Sequence, residues 1–132
     1  MRIVSVGVDH AEVDRIRRAV DHPNWGQRFR CRVYTAGEIA YCERRKRYAE
    51  SFAARFAAKE AVMKALGTGM RGVGWQEVEV VRRRGQAPTV RLHGRAVDRA
   101  ALLGIARWHL ALTHTEALST AFVVAEGVAG GE

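Results

Sequence analysis

Cysteine is scarce in this sequence, and long apolar runs are absent. The two cysteines, Cys31 and Cys42, form neither a CxxC motif nor a zinc-binding spacing. A disulfide scaffold and a zinc site are therefore not expected, and both thiols are expected to be structural. No apolar run approaches the roughly 20 residues that a membrane-spanning helix needs. The first residues also lack the apolar core of a signal peptide, so we expect a cytoplasmic protein without a membrane segment.

Nucleotide-binding fingerprints are missing as well. No Rossmann or P-loop pattern occurs, and the glycines of GTGMRG (67–72) follow a helical segment instead of a strand. Lysine is rare too, because 19 of the 22 basic residues are arginine. Two of the three lysines, Lys59 and Lys64, nevertheless fall in one segment, FAARFAAKEAVMKALGTG (52–69). Either chance or a need for compact ammonium groups there explains that concentration.

The residues that are present suit one globular domain with a strongly basic surface. The 132 residues are 48% hydrophobic, show no repeat or linker, and are expected to form a single domain over 1–132. The formal net charge is +8. Such a balance favours an acidic partner, which could be nucleic acid, a membrane surface, an acidic protein or a phosphorylated ligand. The charge alone does not distinguish among these partners.

Apolar periodicity predicts a mixed α+β domain. Residues 2–9 alternate as a half-buried strand ending at Asp9, and Asp9 with Glu12 resembles a capping box that opens a helix. Thr35 with Glu38 predicts a second capping box, opening a helix that ends in RRKR (44–47). Two more helices are expected, one from about Glu50 to Leu66 that is capped by Gly67 and one over 94–104. The expected strands cover 75–81, 89–93, 107–114 and 119–126. Residues 22–26 are expected to form a turn, 27–34 are ambiguous, and the tail over 127–132 is expected to fray. The order β-α-α-α-β-β-α-β-β favours largely antiparallel pairing.

The segment FAARFAAKEAVMKALGTG (52–69), which contains most of the predicted helix, has no continuous polar face and yet carries four charges. Arg55 and Lys59 fall within its stripe of bulky side chains, and Glu60 and Lys64 border the alanines. A partly buried charge needs a partner or a ligand. One explanation is an internal i, i+4 pair between Glu60 and Lys64. The other is an anionic ligand held by these cations, with a metal ion on Glu60 and a second carboxylate, for which Asp9 is the best candidate.

Three motifs, in this order, resemble those of the holo-acyl-carrier-protein synthases, the small 4'-phosphopantetheinyl transferases. VGVDHAEVDRI is similar to the family pattern G-x-D-x-x-E-x-x-R-I. FAARFAAKEAVMKALGTG resembles the central R-F-A-x-K-E-A-x-x-K-A-x-G-T-G motif, and HLALTHTEALSTAFVVAE resembles the closing strands. The resemblance covers about residues 3–126. Two departures are His10, where the family has an aliphatic residue, and HPNWG (22–26), which looks longer than usual.

The resemblance implies a fold, an activity and an assembly. The fold is the phosphopantetheinyl transferase fold, a largely antiparallel sheet with a central buried helix, in a homotrimer with active sites at subunit interfaces. The implied reaction moves 4'-phosphopantetheine from coenzyme A to a serine hydroxyl of an acidic apo-acyl carrier protein with Mg2+, and releases adenosine 3',5'-bisphosphate. Fatty-acid synthesis is the default pathway, and a polyketide or other secondary-pathway carrier is the alternative. A basic nucleic-acid-binding module is disfavoured, because the basic residues are scattered and not interleaved with exposed aromatics.

The resemblance also assigns roles to individual residues. Asp9 and Glu60 are the implied metal ligands, and with Lys64 they form the implied catalytic set. Whether Glu60 or a water is the general base stays open, as does the choice for Lys64 between binding phosphate and assisting proton removal. The residues implied to bind coenzyme A are Arg55, Lys59, Lys64, His114 and Arg45. For Lys59 and His114 a structural role is the alternative, and for Arg45 a solvated helix end. The residues implied to dock the carrier protein are Arg15, Arg28 and Phe29.

Overall fold

A three-stranded antiparallel sheet forms one side of the molecule. The structure is a computed structural model that describes residues 1–128, apart from the side chain of Met70. Strand β1 (Arg2–Glu12) and strand β4 (Ile105–His114) both pair with β5 (Leu118–Gly127), which lies between them. A separate hairpin pairs β2 (Val78–Val81) with β3 (Thr89–Leu92). The described strand pairs are all antiparallel, as predicted.

The helices cover one face of this sheet. They are α1 (Val13–Val20), α2 (Gly26–Val33), α3 (Ala36–Glu43), α4 (Tyr48–Leu66), the short α5 (Gly69–Gly72) and α6 (Arg95–Leu103). Helix α4 packs against β1 and β5 and also contacts α1, α3, α5, α6, β2 and β4, so the predicted central buried helix is confirmed. Within residues 1–128, no helix combines the length and the hydropathy that crossing a bilayer requires.

Close packing between β1 and α4 depends on a residue without a side chain. A Cβ atom on Gly7 would collide with the backbone carbonyl oxygen of Ala61, so any larger residue would push the helix away from the strand. Two residues earlier, the Ser5 hydroxyl donates to the carbonyl oxygen of Ala65 at 2.7 Å. Because alternate residues of a strand face the same side, Ser5, Gly7 and Asp9 all point toward α4.

The first boundary differs from the sequence prediction. Strand β1 continues past Asp9 to Glu12, and α1 begins at Val13 with no side-chain cap. The predicted capping box between Asp9 and Glu12 is therefore wrong. Residues 9–12 pair with Ala121 through Leu118 of β5, and the amide of Val13 then donates to the carbonyl oxygen of Ala117 at 2.9 Å. Strand pairing gives residues 9–12 more backbone hydrogen bonds than a local helix cap would, so these residues continue the strand and do not begin a helix.

Other predicted elements change in extent. The ambiguous residues 27–34 belong largely to α2, and α3 ends at Glu43, so RRKR (44–47) forms the turn before α4 and is not the end of a helix. Residues 75–77 form a 3-10 turn, and β2 starts only at Val78. The capping box of Thr35 and Glu38 is confirmed, as is the left-handed cap at Gly67 with φ 72°. Of the tail predicted to fray, residues 129–132 lie outside the described residues.

A buried ion pair joins α4 to α3. The Lys59 ammonium is 0% exposed and lies 2.7 Å from Oε1 of Glu38. It also donates to the carbonyl oxygens of Trp75, at 2.9 Å, and Val78. The Glu38 carboxylate accepts from the amides of Thr35 and Val80, both at 2.9 Å. Burial lowers the pKa of Lys59, and the neighbouring Glu38 opposes that shift. The pair thus ties α4, the start of α3 and the β2–β3 hairpin together.

Replacing Lys59 by methionine should destabilise the fold strongly, because the Glu38 carboxylate would remain in the core without its counter-charge. We expect the free energy of unfolding to fall by about 3–5 kcal/mol. The control is Lys46→Met in the turn before α4, whose exposed side chain forms no ion pair within residues 1–128 and predicts a change below about 0.5 kcal/mol. Urea unfolding followed by circular dichroism measures both variants. A Lys59→Met protein as stable as wild type would contradict a structural role for this pair.

Candidate active site

Asp9, Glu60 and Lys64 meet at the edge between β1 and α4. Asp9 projects from β1 toward the helix, and Glu60 and Lys64 lie one turn apart on α4. Lys64 Nζ lies 3.5 Å from Asp9 Oδ2 and donates to the carbonyl oxygen of Val8 at 3.3 Å. The ammonium therefore pairs with Asp9, and the internal Glu60–Lys64 pair considered from sequence is not among the ion pairs within residues 1–128. The three residues of the predicted catalytic set are brought together.

The pKa of the Glu60 carboxyl lies above its ordinary value. Burial raises its pKa to about 7, and the neighbouring Asp9 contributes through both its charge and a hydrogen bond. Lys64 and Arg15 lower the pKa of Glu60, but by less. Two carboxyls this close resist being ionised together. A bound cation would relieve that repulsion and keep both groups in the charged form that binds metal.

The donor set fits a hard divalent cation with open coordination positions. Within the part of the chain that the structure describes, no group of three or more His, Cys, Asp or Glu side chains converges on a metal-binding position. Asp9 and Glu60 therefore offer two carboxylates and no soft ligand. Mg2+ commonly binds through one or two carboxylates and completes its shell with water and substrate phosphate. The residues present thus suit Mg2+ better than a fully enclosed structural metal.

An aromatic groove leads from Glu60 along the outside of α1 and α2. Glu60 lines a small cavity of about 100 Å3 together with Arg15, Ile16 and Phe56. The last three also line an adjoining groove of about 420 Å3, whose other lining residues are Arg18, Ala19, His22, Trp25 and Phe29. The rings of His22 and Trp25 stack with centroids 4.0 Å apart.

The predicted docking residues are not all equivalent in this groove. Arg15 and Phe29 line it, whereas Arg28 is exposed on α2 outside its lining. The HPNWG segment, singled out as a departure from the family pattern, provides part of its wall through His22 and Trp25. Phe29 and Phe56 stack at its base with centroids 6.4 Å apart. The groove therefore offers an apolar floor with cationic groups at its rim.

A second, larger cavity is strongly basic. It has a volume of about 510 Å3 and lies between the turn after α3, the first turns of α4, the end of β4 and the start of the turn that follows β2. Its charged lining residues are Arg44, Arg45, Lys46, Arg47, Glu50, Arg55, Arg82 and His114. The structure thus brings Arg45, Arg55 and His114 together, as the resemblance implied. All four residues of RRKR line the cavity and are exposed to solvent.

Arg55 is buried in this cavity without an anionic partner. The residue is 4% exposed, its guanidinium lies 4.1 Å from the ring centroid of Tyr41, and its Nε atom has no hydrogen-bond partner. Within residues 1–128, no carboxylate forms an ion pair with it. A buried guanidinium without hydrogen bonds is costly unless a ligand compensates it. The position of Arg55 therefore indicates an anion-binding site.

His114 and Glu50 lie at the other side of the same cavity. His114 Nε2 is 3.5 Å from Oε1 of Glu50, an oxygen that is buried and accepts no hydrogen bond. Arg47 Nε lies 3.7 Å from the other oxygen of this carboxylate. Glu50 is the one acidic residue in the lining, so the cavity keeps a large excess of positive charge.

Lys59 is the residue whose predicted role the structure corrects. It was expected to contact coenzyme A, with a structural role as the alternative. Its ammonium is fully enclosed by Glu38 and two backbone carbonyl oxygens, and it lines neither the basic cavity nor the groove. A ligand could reach it only after the core opened. Lys59 is therefore structural.

The carboxylate pair and the basic cavity lie on different sides of α4. At 100° per residue, the side chains of Arg55 and Glu60 point about 140° apart around the helix axis. The two cavities on these sides share no lining residue. A single ligand on one protomer would have to pass around a buried helix to contact both sets. The complete site therefore needs either such a path or a second copy of the chain.

Several residues of the two cavities were not singled out from sequence. Glu50 and Phe56 lie on α4 and Arg82 follows β2, and none of the three carries a local signature of binding. The sequence indicated the role of Glu38 in the capping box, but it did not indicate that Glu38 forms an ion pair with the buried Lys59. A buried lysine is expected to pair with an acidic residue. The sequence contains many acidic residues, however, and does not indicate which of them pairs with Lys59.

Comparison with known proteins agrees with this arrangement. Residues 5–120 match the family model described as the 4'-phosphopantetheinyl transferase superfamily. A relative from Solibacter usitatus, named holo-[acyl-carrier-protein] synthase, is 53% identical over 125 residues, which is 94% of this chain and 98% of the relative. A relative of the same name from Koribacter versatilis is 48% identical over 125 residues, with the same coverage of both chains.

Solved structures show the same fold. The crystal structure of holo-[acyl-carrier-protein] synthase from Neisseria meningitidis superposes with a TM-score of 0.84 at 32% identity, covering 95% of this chain and 99% of that one. The Bacillus anthracis synthase in complex with CoA (3',5'-ADP) superposes with a TM-score of 0.76 at 29% identity, covering 96% and 98%. On these matches, the chain belongs to the 4'-phosphopantetheinyl transferase superfamily and, within it, to the holo-[acyl-carrier-protein] synthases.

Proposed function

We propose that this enzyme transfers 4'-phosphopantetheine from coenzyme A to a serine hydroxyl of an acidic apo-acyl carrier protein, in a reaction that depends on Mg2+ and releases adenosine 3',5'-bisphosphate. The observation that carries the proposal is the convergence of Asp9 and Glu60 beside Lys64, whose Nζ lies 3.5 Å from Asp9 Oδ2. The names of the relatives and the coenzyme A bound to the Bacillus anthracis structure support the choice of substrates.

Asp9 and Glu60 would hold Mg2+ against the diphosphate of coenzyme A. When bound, the ion supplies neutralisation of charge on the phosphorus under attack and on the departing phosphate. Lys64 is more exposed than either carboxylate and is free to turn from Asp9 to a phosphate oxygen. We assign Lys64 to phosphate binding. The Glu60 carboxylate would also be the group that accepts the proton of the serine hydroxyl, directly or through water.

The basic cavity would bind the nucleotide part of coenzyme A. Arg55 lacks an anionic partner, and Arg45 lies on the exposed rim, so both can donate to phosphate oxygens. His114 is held near Glu50 and would contact the same part of the ligand. The groove on α1 and α2, with Arg15 at its rim and Phe29 in its lining, would receive the acidic carrier protein.

We propose a homotrimer whose active sites lie between protomers. The sheet face opposite α4 carries Val6, Val8 and Phe122, which are 53%, 53% and 45% exposed. An apolar sheet face of this kind favours burial against other copies of the chain. The separation of the Asp9–Glu60 pair from the basic cavity also supports the proposal, because a neighbouring protomer would supply the second half of each site.

Fatty-acid synthesis in the cytoplasm is the setting we propose. Both cysteines are free, and Cys31 is exposed, which suits a reducing compartment. The docking groove would accept any acidic carrier with a matching apolar contact, so the assay includes fatty-acid and polyketide carriers.

The direct test incubates the protein with apo-carrier, coenzyme A and Mg2+ and records the carrier's intact mass. We expect a gain of one phosphopantetheine, lost when the metal is chelated. Glu60→Gln should lower kcat/KM at least about 100-fold, because one of only two carboxylate ligands is lost. The control is Glu116→Gln in the β4–β5 connection, outside both cavities, with an expected change below about twofold. No mass gain with any carrier would overturn the proposal.

Reversing the charge at Arg15 should weaken carrier docking selectively. We expect Arg15→Glu to raise the KM for the carrier about tenfold or more and to leave the KM for coenzyme A within about twofold. Arg91→Glu on β3 makes the same charge change away from the groove and should leave both constants near wild type. Steady-state kinetics with each substrate varied in turn separates the effects. An equal rise in both KM values would argue against docking at Arg15.

Subunit mixing tests the shared site. Glu60→Gln removes one half of the site, and the double variant Arg45→Ala/His114→Ala removes the other. If each site combines two protomers, equal mixing and reassembly restores about one quarter of the sites, since each interface has an even chance of receiving each intact half. The transfer rate of the reassembled mixture should approach that fraction of wild type. Activity no higher than the average of the two variants would place the whole site within one protomer.

A further inference from the structure

The segment HPNWG (22–26), which supplies part of the wall of the docking groove, is a tight turn between α1 and α2. The amide of Gly26 donates to the carbonyl oxygen of His22 at 2.9 Å. A Cβ atom on Gly26 would lie 2.6 Å from the carbonyl oxygen of Val20, so the closeness of α2 to the end of α1 depends on this glycine. The two helices thus fix the ends of the segment, and its internal hydrogen bonds decide where its side chains lie.

The His22 imidazole organises the inside of this turn. Its Nδ1 atom accepts from the amides of Asn24, at 3.1 Å, and Trp25, at 3.3 Å. A ring nitrogen accepts only when it carries no proton, so both bonds require a neutral His22 with its proton on Nε2. The same bonds orient the ring, which stacks on the Trp25 indole with centroids 4.0 Å apart and an interplanar angle of 19°. His22 therefore determines the position of Trp25.

Trp25 is the residue of this segment that a docking partner would contact. It is 42% exposed and lines the groove beside Phe29, with the two ring centroids 6.3 Å apart. Phe29 stacks in turn on Phe56, which also lines the small cavity at Glu60. A row of aromatic rings thus runs from Trp25 toward the carboxylate pair. Displacement of Trp25 would remove the outer end of this apolar surface.

Protonation of His22 would place a positive charge beside other cations. The charged groups in the groove lining are Arg15 and Arg18 of α1, whereas α2 and α4 contribute only uncharged side chains to it. The carboxylate of Asp21, next to His22 in the chain, is already paired with Arg30 at 3.2 Å. A proton on Nδ1 would also point at two amide hydrogens and leave both amides without an acceptor. Imidazole changes charge between about pH 5 and 8, so this loss falls in the physiological range.

We propose that neutral His22 positions Trp25 as the outer wall of the docking groove, and that protonation of His22 releases Trp25 and weakens binding of the carrier protein. The inference rests on the proposed function, because the carrier is the partner assigned there. His22 lines neither the basic cavity nor the cavity at Glu60, so it is a positioning residue that acts through Trp25. Docking is therefore strong while His22 is neutral and weakens as the pH falls toward about 5.5.

Two substitutions separate the hydrogen bonds of His22 from its ring. Asparagine accepts from the same turn amides and does not titrate, whereas phenylalanine keeps a ring beside Trp25 but accepts nothing. At about pH 8 we expect His22→Asn to keep the carrier KM within about twofold of wild type and His22→Phe to raise it about fivefold or more. At about pH 5.5 the carrier KM of His22→Asn should be about fivefold below that of wild type, and His22→Phe should equal wild type. The KM for coenzyme A should stay within about twofold of wild type in both variants.

Comparing each variant with wild type at the same pH removes the titration of the carrier and of Glu60, since all three proteins share it. Attraction between a charged His22 and the acidic carrier makes the opposite prediction, a lower carrier KM for wild type than for His22→Phe at low pH. That result would overturn the proposal. A His22→Asn protein whose carrier KM follows wild type at both pH values would overturn it as well.

Fluorescence of the substrate-free protein separates this inference from the transfer reaction. The difference between the spectra of wild type and Trp25→Phe reports Trp25 apart from Trp75 and Trp108. We expect its emission maximum to shift to longer wavelength as the pH falls from about 8 to about 5.5, because the released indole meets more water. The shift should be absent when both proteins carry His22→Asn. Should wild type transfer nothing, this result would still support the positioning role of His22. A Trp25 signal that is independent of pH, or a shift that persists with His22→Asn, would refute it.

Discussion

The contact between α4 and β1 is the interaction on which the proposed active site depends. Gly7 lets the helix backbone approach the strand so closely that a Cβ atom would collide with the carbonyl oxygen of Ala61. At this spacing Glu60 and Asp9 come within hydrogen-bonding reach, and the pKa of Glu60 rises to about 7. A wider gap would separate the carboxyls and remove the mutual repulsion that a metal ion can relieve.

The four charges that α4 carries after its first turns have separate roles because they point in different directions from one buried helix. Lys59 is enclosed by Glu38 and backbone carbonyl oxygens and holds the hairpin to the helix. Arg55 faces a basic cavity without an anionic partner, and Glu60 and Lys64 face Asp9 at the edge of the sheet. A helix without a polar face is thus compatible with four charges, since each has a partner or an open cavity.

Three features of the single chain lack the partner that a bound ligand or a neighbouring copy of the chain would provide. The buried guanidinium of Arg55 has no hydrogen bond at Nε, the outer sheet face exposes Val6, Val8 and Phe122, and the two cavities lie on different sides of α4. Coenzyme A would supply the missing anions, and neighbouring protomers would cover the sheet. The proposed trimer joins a carboxylate pair to a basic cavity without requiring a ligand to pass around a helix.

The sequence by itself determined the features that depend on local chemistry or on a long motif. The Thr35–Glu38 capping box, the left-handed cap at Gly67 and the family membership were all readable from neighbouring residues. Tertiary structure decided the rest. Pairing with β5 overrode the expected cap at Asp9, and distant Glu38 made Lys59 structural. Arg82 lines the basic cavity and its neighbour Arg83 a different one, which three consecutive arginines in the sequence do not indicate. The physical reason is that burial, strand pairing and charge compensation join residues far apart in the chain, and spacing along the sequence does not encode which of them meet.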